Sequence, residues 1–212
     1  RTAIMEEMAQ EYRKKGFKPY IIPEGASYPV GALGYFYCMK EIVEQEEKMG
    51  ITFDTIVVAT GSGGTHTGLT LANMLLGLGK RVVGMAVCDD NAYFQNVAMQ
   101  MTPGALEYLV EQGEITRKQA EEFASKVKPS DFEYIDGYVG IGYAKSRPEE
   151  LEHIRRIATL EGVVFDPVYT GKATYGLDCE LRKGGAFEKS QNILFIHTGG
   201  IFGLFPVSRS LS

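Results

Sequence analysis

Asp54 to Gly79 reads DTIVVATGSGGTHTGLTLANMLLGLG, and the change of pattern inside it decides the fold. Thr55-Ile56-Val57-Val58 is β-branched throughout, too short for a helix and too continuous for an edge strand, so it predicts a strand buried on both faces. Gly61-Ser62-Gly63-Gly64-Thr65 follows, where three glycines let backbone N–H groups turn toward a ligand with no Cβ in the way. From Thr67 the apolar residues Leu69, Leu71, Met74, Leu75 and Leu78 recur at helical spacing, with Gly79 expected as the residue just past the helix. A strand, a glycine loop and a helix N-terminus in that order form an anion site, because unpaired amides and the positive end of the helix dipole converge there. The loop therefore predicts a bound phosphate.

Missing residues narrow the kind of phosphate. A P-loop ends in Gly-Lys-Ser/Thr, but Thr65 and His66 follow Gly64, so no cation reaches the outer phosphates of a nucleotide. The dinucleotide pattern started at Gly61 would need glycine at His66, and the nucleophile elbow would need glycine at Thr60. A small phosphate monoester held by amides and by the Ser62 and Thr65 hydroxyls remains.

The surrounding chain of 212 residues, 44% hydrophobic, can bury one large core, with a second small unit possible. A net charge of −5 leaves no electrostatic footprint for nucleic acid, and no apolar run approaches the length needed to cross a bilayer. Cys38, Cys88 and Cys179 are odd in number and widely spaced, which fits reduced thiols in a cytoplasmic protein; His66, His153 and His197 show no metal-binding spacing.

Residues 1–15 read as an amphipathic helix with Ile4, Met8 and Tyr12 on one stripe and Gly16 after it. Phe17 to Pro23 predicts a short strand, and Val30 to Met49 a long helix ending at Gly50. Arg81 to Cys88 is another buried strand, so two strands flank one helix in a βαβ unit and the sheet is parallel. Asp89 to Met101 and Pro103 to Lys128 predict solvated helices, with a Thr116–Gln119 capping box. Phe132 to Asp136 predicts a strand leading into Gly137 to Tyr143, a loop suited to cover a ligand; Ser146 and Glu149 are expected to cap the next helix, to about Glu161. Val163 to Phe165 then runs toward Tyr169-Thr170-Gly171 and a helix start, and the strand Asn192 to Ile196 ends in His197-Thr198-Gly199-Gly200. In a parallel sheet such ends gather along one edge, where ligands bind. The fold class is α/β: an open, mostly parallel sheet with helices on both faces.

The segments TGSGGTHTG, YVGIGYAKS, DPVYTGKATYG and FIHTGG, in this order, resemble the D-cysteine desulfhydrase and 1-aminocyclopropane-1-carboxylate deaminase family of pyridoxal-phosphate enzymes, from Arg1 to about Pro206. The resemblance implies the tryptophan-synthase β-subunit-like architecture of fold-type II, pyridoxal 5'-phosphate as cofactor, an amino-acid substrate and a homodimer. It implies that Gly61, Ser62, Gly63, Gly64 and Thr65 hold the cofactor phosphate, that Tyr143 and Tyr169 approach substrate, and that Thr170 and Thr198 lie near the pyridine nitrogen. Residues 1–16 would be the last helix of the small domain and 17–212 a partial large cofactor domain.

The deaminases of the family resemble a pattern with glutamate after the second tyrosine, where Thr170 stands here, as in the desulfhydrases. A neutral hydroxyl leaves the pyridine ring less electron-withdrawing than a carboxylate does, which suits expulsion of a thiolate better than opening of a cyclopropane. The expected reaction is β-elimination from D-cysteine or a related amino acid to pyruvate, ammonia and hydrogen sulfide. Cyclopropane deamination, a non-catalytic phosphate-binding fragment and a structural remnant acting by association alone are the alternatives. The family's Schiff-base lysine and a Ser-Asn stretch lie in an N-terminal segment upstream of this chain, and Lys145 and Lys172 read as exposed or helix-start residues. The chain alone is therefore expected to be inactive.

Overall fold

The computed structural model describes residues 2–208. In chain order, helices α1 (Thr2–Lys14) and α2 (Pro29–Met49) precede strand β1 (Thr55–Thr60), α3 (Gly64–Leu75), β2 (Arg81–Ala86), α4 (Asn91–Glu111) and α5 (Arg117–Ala124). β3 (Glu133–Ile135), α6 (Pro148–Glu161), α7 (Thr170–Lys183) and β4 (Ile193–Ile196) complete the regular elements, apart from short 3-10 turns. The strands form one sheet in the order β3-β2-β1-β4, and every pairing is parallel.

Helices cover both faces, and β1 shows why its sequence is apolar without interruption. Ile56 and Val58 pack with α2, α3, α4 and α5 on one face, whereas Val57 and Ala59 pack with Ala173 of α7 and with Phe187 on the other. Successive side chains of a strand point to opposite faces, so a central strand between two helical layers must be hydrophobic at every position.

α3 stops earlier than its leucines suggest. Gly77, at φ +64°, is the residue beyond the cap: its amide donates to Met74 and that of Leu78 to Asn73, the paired bonds of a Schellman motif. Gly79, expected to end the helix, lies in the following turn, which Asn73 braces through Lys80.

Four other expectations are corrected. Phe17 to Pro23 pairs with no strand, and Phe17, Tyr20 and Ile22 are exposed; a β pattern without a neighbouring backbone to bond gives no strand. α4 runs through Pro103 rather than breaking, and it is a core helix: Phe94, Ala98, Met101, Ala105, Leu106 and Leu109 are buried where it packs against α2, α3, α5 and β3. That burial outweighs the ~3 kcal/mol cost of an interior proline. α6 begins one residue later than predicted, because Pro148 occupies its first position; the Glu150 carboxylate then accepts from the Arg147 amide at 2.8 Å. Ser146 instead donates to the carbonyl of Pro167. The helix at the N-terminus and the Thr116–Gln119 capping box form as expected, but the Ile4, Met8 and Tyr12 stripe of α1 faces solvent.

Candidate active site

The C-terminal ends of β1, β2 and β4 open into one cavity of about 650 Å³, well within the range of small-molecule sites. Its floor is the glycine loop. Gly61, Ser62, Gly63 and Thr65 line it, and the first turn of α3 begins there, with helix amides that have no intrahelical acceptor. Gly63 adopts φ +92°, a conformation that costs an L side chain strain. Close packing forbids side chains at the neighbouring glycines as well. A Cβ at Gly61 would stand 2.7 Å from the Tyr169 ring, and one at Gly64 would stand 2.8 Å from Ser27 Oγ. This is a cradle of bare backbone at the positive end of a helix, and it fits a phosphate monoester.

A contact that sequence reasoning missed shapes the cradle. The Gly64 amide donates to Ser27 Oγ at 3.1 Å, and that hydroxyl donates to Ser62 Oγ at 2.7 Å. Gly64 is thus tied to the turn ahead of α2 and is not among the lining residues, unlike the other four predicted loop positions. Gly25, in the same turn, touches Ser62 so closely that it has no room for a side chain. The only signal in the sequence was the cluster of small residues at Gly25-Ala26-Ser27, which fits any turn equally well.

Tyr169, whose ring packs on Gly61 of the loop, and Tyr143 both line the cavity and are joined hydroxyl to hydroxyl. Burial, and then the bond to Tyr143, hold the Tyr169 phenol well above its ordinary ionisation range, so it keeps its proton at neutral pH. Thr198, with Gly199 and Gly200, closes the wall at the end of β4. Thr170 is placed elsewhere. Its hydroxyl donates to the Asp166 carboxylate at 2.7 Å and accepts from the Asp166 amide, and it is fully buried outside the cavity lining. Asp166, another residue the sequence reading passed over, accepts from the amides of Val168, Tyr169 and Thr170 as well. It therefore orients Tyr169 at the head of α7.

Two further groups border the loop without free chemistry. Cys88 lines the cavity and donates from Sγ to the carbonyl of Gly61; burial pushes its thiol up to about 12. His66 is wholly buried in α3, its Nε2 against the carbonyl of Val82 and its ring 4.2 Å from that of Tyr134. Desolvation brings its pKa down to about 4, so it is neutral. Among the described residues no lysine lines the cavity. Lys145 is exposed; Lys172 is the helix-start residue of the two, in the first turn of α7, and it is fully buried, its ammonium bonded to the carbonyls of Val139 and Gly142.

Comparison with known proteins agrees with this geometry. A sequence family described as pyridoxal-phosphate dependent enzyme matches residues 2–199. A Pyrococcus furiosus protein provisionally named a 1-aminocyclopropane-1-carboxylate deaminase is 42% identical over 94% of this chain and 55% of its own length. The bifunctional D-cysteine desulfhydrase/1-aminocyclopropane-1-carboxylate deaminase of Arabidopsis thaliana mitochondria is 37% identical over 96% of the chain and 47% of its own length. The D-cysteine desulfhydrase of Yersinia enterocolitica is 36% identical over 95% of the chain and 56% of its own length. A crystal structure described as an ACC deaminase homologue superposes with a TM-score of 0.75 at 39% identity, covering 97% of this chain and 57% of that one. The chain spans about half the length of the curated relatives it matches.

Proposed function

Since the chain belongs to the family of pyridoxal-phosphate dependent enzymes, we propose that the protein containing it is a lyase that eliminates the β-substituent of D-cysteine or a related amino acid, giving pyruvate, ammonia and hydrogen sulfide. The observation that carries this reading is the pairing, in one cavity, of a glycine cradle with two hydrogen-bonded tyrosines. The amides of the loop and the first turn of α3, with the Ser62 and Thr65 hydroxyls, would hold the cofactor phosphate. Bound there, pyridoxal phosphate supplies an electron sink for the charge left on the substrate Cα. The tyrosine pair stays protonated at neutral pH, so its hydroxyls can donate a hydrogen bond to a departing thiolate. Thr198, the threonine that lines the wall, is the hydroxyl assigned to the ring nitrogen, and a neutral partner there suits elimination of a good leaving group.

The imine-forming amine is assigned to residues outside this chain. No lysine lines the cavity among the described residues, and Lys172 has its ammonium engaged by two carbonyls. The chain alone is then expected to bind cofactor weakly and to turn over nothing. Residues 1–16 are assigned to the small domain, which agrees with the exposed apolar stripe of α1, and 17–212 to the cofactor domain. A cytoplasmic homodimer is the expected form, to be checked by sedimentation of the full-length protein and by its location in fractionated cells.

The test is to titrate full-length protein with pyridoxal phosphate, follow the visible absorbance, then supply D-cysteine and assay pyruvate and sulfide. Consumption of 1-aminocyclopropane-1-carboxylate with no attack on D-cysteine would replace this reading with the deaminase one, the activity in the name of the Pyrococcus furiosus relative and one of the two in that of the Arabidopsis relative.

A further inference from the structure

Lys172 is among the largest side chains with no solvent exposure, an expensive place for an ammonium group. Its compensation comes from one short segment. Nζ donates to the carbonyl of Val139 at 2.8 Å and to that of Gly142 at 2.7 Å. Both belong to the irregular loop after β3, in which Gly140 and Gly142 have φ of +72° and +131°, so the loop has little regular bonding of its own. Among the described residues Lys172 makes no ion pair; the neighbouring Glu150 carboxylate is taken by Arg147 at 2.9 Å.

Gly142 directly precedes Tyr143, whose hydroxyl meets that of Tyr169. Tyr169 caps the helix that carries Lys172 three residues later. α7 thus grips this loop twice, once through the lysine beneath it and once through the tyrosine pair above the cavity. A lysine that only filled space could be any unbranched apolar residue without the cost of burying a charge. We propose that Lys172 is a positioning residue, a buried tether that fixes the 139–143 loop so that Tyr143 meets Tyr169 over the cavity. The part of this inference that concerns turnover rests on the function proposed above; the tether itself does not.

The experiment uses full-length Lys172→Met, which nearly conserves volume, and Lys172→Gln, which keeps a shorter donor. Hydrogen exchange of cofactor-free protein is the first readout. Amides of residues 137–146 are expected to exchange about tenfold faster or more in Lys172→Met, less so in Lys172→Gln, with β1 and α4 unchanged. Turnover is the second readout. Lys172→Met should lower kcat about tenfold in the presence of Tyr143 and have no further effect in a Tyr143→Phe background, since the lysine acts through that tyrosine. Unchanged exchange in the loop overturns the proposal, and so does an equal loss of kcat in both backgrounds. Failure of both variants to show a cooperative thermal transition also overturns it, because the lysine would then be holding the fold rather than the loop. Faster exchange in a protein whose wild type turns over no amino acid supports the tether and removes the functional reading.

Discussion

Replacing Asp166 by alanine is expected to destabilise the protein by about 3 kcal/mol, counting each stranded amide at the lower end of the ~1–3 kcal/mol range for a buried unpaired donor. The carboxylate has no solvent exposure and accepts from the amides of Val168, Tyr169 and Thr170 at 2.7, 2.8 and 2.8 Å, and from the Thr170 hydroxyl at 2.7 Å. On truncation the hydroxyl can turn to another acceptor, so the amides carry the loss, and water entering the vacated volume recovers part of it, which is why the lower end of the range applies. Asparagine keeps one acceptor oxygen but aims an N–H₂ at N–H groups, so it should fall between alanine and wild type, at roughly 1–2 kcal/mol. Urea denaturation of full-length protein measures this as a shift in midpoint at constant slope. A loss below about 1 kcal/mol for alanine would refute the account, since it would mean the turn at the head of α7 holds without its carboxylate. Thr170 supplies an internal control. If its hydroxyl serves Asp166, Thr170→Val lowers stability by about 1 kcal/mol and leaves the bound-cofactor absorbance unshifted; a spectral shift with full stability would assign it to the ring nitrogen instead.

Further outcomes follow from the same contacts. His66 has a folded pKa depressed to about 4 from an unfolded value of 6.5, so the unfolded chain takes up its proton first. Stability from this group is complete above pH 6.5 and is lost as pH falls toward 4, by up to about 3 kcal/mol, a slope that His66→Gln should remove from a series of urea midpoints. Gly61→Ala places a methyl 2.7 Å from the Tyr169 ring and should weaken pyridoxal-phosphate binding tenfold or more by spectral titration, as judged from an overpacking cost of ~1–3 kcal/mol. The Cys88 thiol, pushed up to about 12, should be alkylated at neutral pH about a thousandfold more slowly than an ordinary cysteine, a rate readable by mass spectrometry of the labelled peptide.

Local pattern alone was enough for much of the architecture. An unbroken β-branched run at residues 55–58, a glycine loop and a leucine-spaced helix specify a buried parallel strand and an anion cradle, because backbone sterics and side-chain periodicity act within a few residues. The same holds for β2, β3 and β4 and for the Thr116–Gln119 cap. Tertiary packing decided what each polar group bonds to. Thr170 and Thr198 are indistinguishable as sequence signals, yet one hydroxyl turns inward to Asp166 and the other residue lines the cavity. Lys172 was legible as a helix-start residue but not as a buried one, and the carbonyls of a loop 30 and 33 positions away in the chain make its burial possible. Ser27 reaches the glycine loop across 35 residues, and α4 continues through Pro103 because packing against α2, α3 and β3 rewards a continuous apolar stripe. Hydrogen-bond partners and burial depend on which distant segments the fold brings into contact, and no short window of sequence contains that information.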